Sequence, residues 1–95
     1  MIPIITERAA SDILGIFDFR GEKSAQLTVN EILKTITDLE IFPLLGRSRD
    51  ELRKGTRSLV MRKYLIFYTI FQNTPVIPRV VHGSRDPETL FENEP

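Results

Sequence analysis

The clearest pattern along the chain is a helical stripe. Ala25, Val29, Ile32, Ile36 and Leu39 recur at steps of 4, 3, 4 and 3 residues, which places them on one face of a helix built to pack against a neighbour. Five positions over about two heptads are too few for a coiled-coil seam, and Pro43 stops the helix from running on. Ahead of it, Ala9, Ala10, Ile13, Leu14 and Phe17 also fall at three- and four-residue spacings. Thr6 can cap this earlier element, Glu7 sits in a first turn that favours acids, and Gly21 ends it, so a first helix is predicted over about residues 7–19. The short connection at Gly21 makes the two helices an antiparallel hairpin.

The rest of the chain changes period. Ile2 to Ile5 is short and β-branched and reads as a first strand. Leu44 to Gly55 is a polar, charged connection. Leu59 and Met61 alternate with Ser58, Val60 and Arg62, as in a strand with one wet face. Tyr64 to Phe71 is apolar except for Thr69, the pattern of a central strand covered on part of both faces. Gln72-Asn73-Thr74-Pro75 marks a turn, and Val76 to His82 a last strand. Pro78 inside that strand has no N–H for a ladder, which predicts an edge or a bulge there. Asp86 and Pro87 suit the cap and first position of a short helix or ordered tail. The order β-α-α-β-β-β predicts an α+β fold, a helical hairpin packed on an antiparallel sheet, in one domain spanning residues 1–95.

Composition narrows the classes. With 41% hydrophobic and 27% charged residues the chain is globular rather than disordered. It has no cysteine, so neither a disulfide nor a thiolate metal site is possible. The start Met1-Ile2-Pro3-Ile4-Ile5 lacks the basic and long apolar parts of a signal peptide, and no apolar run is long enough to span a membrane. A cytoplasmic protein is expected. The net charge is zero but uneven. Residues 44–69 carry seven basic side chains (Arg47, Arg49, Arg53, Lys54, Arg57, Arg62, Lys63) against Asp50 and Glu51, a balance of +5. Such a segment suits an anionic partner, either nucleic acid or an acidic protein segment, or else a solvated face that repels aggregation.

Several stretches, in this order, resemble the ParE toxins of the RelE/ParE superfamily of bacterial toxin–antitoxin modules. Ala10-Ser11-Asp12-Ile13-Leu14-Gly15-Ile16-Phe17 is similar to the family's first helix. Pro43-Leu44-Leu45-Gly46-Arg47 looks like its Pro-x-x-Gly-Arg connection after the second helix. Glu51-Leu52-Arg53 and Arg57-Ser58 resemble the entry to the next strand, and Tyr64 to Tyr68 with Val80-Val81-His82-Gly83-Ser84-Arg85-Asp86 completes the likeness. Pro78, where the family usually has an aliphatic residue, and the short tryptophan-free segment Phe19 to Lys23 depart from the pattern.

The superfamily holds ribosome-dependent ribonucleases as well as poisons of DNA gyrase. Cleavage at a 2′-hydroxyl needs a proton acceptor, a proton donor and positive charge for the phosphorane. The resemblance places the ribonuclease residues at Leu65, Arg85 and Phe91, so only one arginine of that set is present. Loss of a general acid or base costs roughly 10²–10⁴-fold, and the site is expected to be disabled. His82 without a second base or ligand partner reads as a hydrogen-bonded packing residue, with general base as its alternative. Tyr64 and Tyr68, four residues apart on one strand face, read as core. Arg85 suits either a partner contact or an ion pair with Asp86.

The resemblance therefore implies a toxin that binds DNA gyrase and is neutralised by a ParD-like antitoxin, without catalysis, cofactor, metal or membrane. DNA contact would be indirect, through gyrase or the antitoxin complex. The partner-facing residues expected are Arg53, Lys54, Arg57, Arg62, His82, Arg85 and Phe91. A ribosome-dependent mRNA endoribonuclease and a non-toxic module that only binds antitoxin are the alternatives.

Overall fold

The structure of the chain is a computed structural model, and it describes residues 2–19 and 21–84. The elements follow in the order β1 (Ile4–Ile5), α1 (Glu7–Phe19), α2 (Glu22–Asp38), β2 (Arg47–Ser48), β3 (Arg57–Met61), β4 (Tyr64–Phe71) and β5 (Thr74–His82). The five strands form one sheet in the order β1-β5-β4-β3-β2. The expected α+β architecture is present, and the sheet is mixed: β1 runs parallel to β5, and the other pairs are antiparallel.

α1 begins, and both helices pack, as their sequences direct. Thr6 Oγ1 accepts the Ala9 N–H at 3.1 Å, the expected cap of α1. All five stripe residues of the second helix, from Ala25 to Leu39, are buried. They meet Ala9, Ile13 and Ile16 of α1 and the helix-facing side of the sheet, which presents Tyr64, Ile66, Tyr68, Ile77 and Val80.

The last strand settles the choice left open by Pro78. With β1 on one side and β4 on the other it is not an edge, so that alternative is corrected. Phe67 pairs with Arg79 and Thr69 with Val76, so Ile77 and Pro78 together face Tyr68. This is a bulge with its extra residue on β5, and the residue lacking an N–H sits where the ladder is interrupted. The Thr6 hydroxyl donates to the Pro78 carbonyl at 3.2 Å. Beyond Ile77, where β1 has ended, Asp12 of α1 accepts the Val80 N–H at 3.0 Å.

The connection read as polar, residues 44–55, is more ordered than its composition suggests. It contains β2, and its later part folds over the helix-free face of the sheet. Leu52 and Leu65 pack there around the buried pair Phe67 and Val81 as a second, smaller core. No helix of the chain is long and apolar enough to cross a membrane among the described residues.

Candidate functional site

The basic segment resolves into charges with different duties. Arg49 is buried. Its Nε donates to Glu51 Oε2 at 2.8 Å, its Nη1 to Ser58 Oγ at 3.2 Å, and its guanidinium lies 5.7 Å from the centre of the Phe67 ring. The hydrogen bond from Arg49 holds the Glu51 carboxyl below its ordinary range. Around this anchor the loop closes on itself. Arg49 N–H donates to Thr56 O at 2.7 Å, Thr56 N–H to Arg53 O at 3.0 Å, and Gly55 N–H to Asp50 Oδ1 at 2.8 Å. Gly55 has φ +85°, a conformation that a side chain would strain. Arg53 and Lys54 sit exposed on this fixed loop.

Arg57 and Arg62 take partners inside the chain. Arg57 is half-buried and its Nη1 donates to Gly46 O at 2.6 Å. Arg62, at φ 56° in the β3–β4 turn, grips Glu31 of α2 through Nε and Nη2 at 2.6 and 2.8 Å. That hydrogen bond holds the Glu31 carboxyl below its ordinary range. Arg47, Lys54 and Lys63 are exposed and make no ion pair among the described residues.

A groove of about 610 Å³ opens between α1 and the end of β5, lined in part by Ser11, Gly15, Lys63, Tyr64, Val81 and His82. His82 is exposed. Its ring stands edge-on to Tyr64 with centroids 5.5 Å apart, and Ser84 N–H donates to its Nδ1 at 3.1 Å. Both contacts are local, one to the paired strand and one to the turn that follows. Asp12 borders the groove but is engaged elsewhere: Arg79 donates from Nε to Oδ2 at 2.8 Å and from Nη2 to Oδ1 at 3.1 Å. Arg85 and Phe91 lie outside the described residues, as does the helix start proposed at Asp86 and Pro87.

This arrangement of helix hairpin, five-stranded sheet and basic loop can be compared with known proteins. The family model for the ParE toxin of the type II toxin–antitoxin system, parDE, matches residues 4–87. The chain belongs to this family. It is 33% identical over 63 residues to Toxin ParE3 of Caulobacter vibrioides (strain ATCC 19089 / CIP 103742 / CB 15), a stretch that covers 66% of this chain and 63% of that one. The aligned part thus spans less than two thirds of the relative's length. A solved structure described as the chromosomal ParDE TA system from P. aeruginosa contains a chain of the same fold, at TM-score 0.71 and 20% identity, covering 85% of this chain and 96% of that one.

The Pro-x-x-Gly-Arg connection that carried part of the family resemblance has a physical reason here. Tyr68 is fully buried; its hydroxyl donates to Pro43 O at 2.8 Å and accepts the Gly46 N–H at 2.7 Å. A Cβ at Gly46 would lie 2.6 Å from Tyr68 Cε1 and 2.9 Å from Ser58 O, so the hydroxyl can bolt the loop down only if that residue is glycine. The bolted loop holds Ile41, Phe42, Leu44 and Leu45 with each side chain more than half exposed. From the sequence, Leu44 and Leu45 entered only as part of that connection and Ile41 and Phe42 not at all, because the segment is flanked by charges.

Burial raises the Tyr68 hydroxyl above its ordinary value, against smaller opposing effects of the Gly46 bond and the Arg57 charge. Tyr68→Phe should cost about 1–3 kcal/mol at neutral pH, because Pro43 O and Gly46 N–H lose their partner. A folded-state value above the unfolded one means that the titration-linked part of this stability is complete below the unfolded value, about 10, and is lost as pH rises past it. Urea unfolding at about pH 8 and pH 11 should therefore show wild type and Tyr68→Phe converging at the higher pH. A gap that widens with pH would contradict this role.

Proposed function

We propose that this member of the family acts on DNA gyrase by binding rather than by catalysis, in the cytoplasm, and that a ParD-like antitoxin neutralises it. Family membership makes it a toxin of a type II toxin–antitoxin system. The observation that carries the finer reading is Leu65. The family resemblance puts a ribonuclease's central-strand arginine at this position, yet here an aliphatic side chain packs with Leu52, Phe67 and Val81. A charge introduced there would be desolvated beneath the 49–55 loop. What faces solvent is a surface suited to recognition: the fixed loop carrying Arg53 and Lys54, and the apolar residues 41–45.

Exposed apolar groups in such number on a small chain are the mark of a surface that a partner covers. An antitoxin segment supplying apolar and acidic side chains would match both the 41–45 loop and the basic loop. Binding also lets the chain trap an enzyme–DNA intermediate without making or breaking a bond, provided the intermediate is bound more tightly than free gyrase.

Induced expression in bacteria, followed by microscopy and primer extension on cellular mRNA, tests this. Filamentous cells with damaged DNA and uncut mRNA are expected, with rescue by co-expressed antitoxin. Codon-positioned mRNA cuts that disappear on Arg85→Ala would replace gyrase with the ribosome as target. A chain that leaves growth unaltered yet binds antitoxin would be a non-toxic module.

A further inference from the structure

α1 has a glycine in its interior that the chain's own packing does not require. Gly15 lies within Glu7–Phe19, and a Cβ added to it would meet nothing within 4 Å among the described residues. Its φ is outside the positive range, so no turn or left-handed backbone calls for it. A glycine inside a helix makes that helix less stable than alanine would. What Gly15 does is line the groove, where the missing side chain lets another main chain approach the helix closely.

The groove also states the chemistry of its occupant. Its floor is apolar, with Ile16, Tyr64 and Val80 on the helix-facing side of the sheet. Asp12 is engaged by Arg79 and by the Val80 N–H, so it offers an incoming cation little. Lys63 is exposed and has no ion pair among the described residues. We propose that the groove receives an extended segment of the antitoxin in which an apolar side chain is accompanied by Asp or Glu. The apolar side chain lies over Tyr64 and Val80, the carboxylate pairs with Lys63, and the main chain passes over Gly15. This inference rests on the reading that an antitoxin binds this chain, and it adds where and through which chemistry.

The test uses the full chain and the purified product of the adjoining antitoxin reading frame, with affinity measured by calorimetry and Tm measured on the free chain. Gly15→Ala should raise the Tm of the free chain by about 2–8 °C while weakening antitoxin binding, opposite signs that a purely structural glycine would not produce. Gly15→Leu and Lys63→Glu should each weaken binding about tenfold or more, the equivalent of one buried contact or charge pair, and Lys63→Arg should retain it. Wild-type binding with unchanged affinity in the Gly15 and Lys63 variants would overturn the proposal alone. No binding by wild type would overturn the antitoxin reading with it. If Gly15→Ala lowers Tm, and truncation after Ser84 removes that effect, the occupant is the chain's own residues 85–95. If Gly15→Leu abolishes self-association, it is a second copy. Either result rejects the antitoxin as occupant.

Discussion

Asp12→Ala is expected to cost about 3–5 kcal/mol of folding stability, the largest single loss among polar substitutions at the described residues. Arg79 is only 3% exposed, and the Asp12 carboxylate receives both its guanidinium bonds and the Val80 N–H. Removing the carboxylate strands a cation under α1 and leaves the Val80 N–H of β5 without an acceptor where β1 has ended. Domains of this size have about 5–15 kcal/mol in all, so the variant should be near the limit of folding at body temperature. Urea unfolding should show a lower midpoint with an unchanged slope. Replacing both partners with apolar residues, Asp12→Leu with Arg79→Met, should recover much of the loss, because the stranded charge and not the missing attraction dominates it. A cost below about 1 kcal/mol for Asp12→Ala would mean that the pair is effectively solvated.

Phe67→Ala should cost about 3–5 kcal/mol, as emptying a fully buried aromatic site does, and its effect should extend to the recognition surface. Phe67 belongs to the small core on the helix-free face, where Leu52 packs against it and the Arg49 guanidinium lies over its ring. Without the ring, the 49–55 loop loses what it folds against. Limited trypsin digestion should then cut after Arg53 or Lys54 much faster than in wild type, under conditions where most molecules are still folded. Cleavage there at the wild-type rate would show that the loop is held by its own hydrogen bonds alone.

How far the sequence led depended on the range of the interaction. Helix faces were legible because their period is local: the stripe from Ala25 to Leu39 is buried throughout, and Thr6 caps α1 as its position implied. Pro78 told of an interruption in β5 for a reason within the residue, its missing N–H, but could not say whether an edge or a bulge supplied it. The parallel partner β1 joins β5 across some 70 residues, a separation at which periodicity is silent. The Asp12–Arg79 pair is hidden for the same reason, as two ordinary surface-type residues become buried only once α1 covers the strand. Local reading also overstated the basic patch. Arg49, Arg57 and Arg62 were read as positive charges in one segment, yet they brace the 49–55 loop, Gly46 and α2. This leaves Arg53 and Lys54 as the exposed cations of the 49–55 loop.

The most direct test of gyrase as target is a cleavage assay with purified components. Supercoiled DNA, gyrase, ATP and the purified chain should yield linear DNA after protein denaturation, in proportion to added chain. Charge reversal at Arg53 and Lys54 together should reduce that yield while the variant keeps the wild-type unfolding midpoint. No linear DNA and no loss of supercoiling activity at micromolar chain would contradict gyrase poisoning outright.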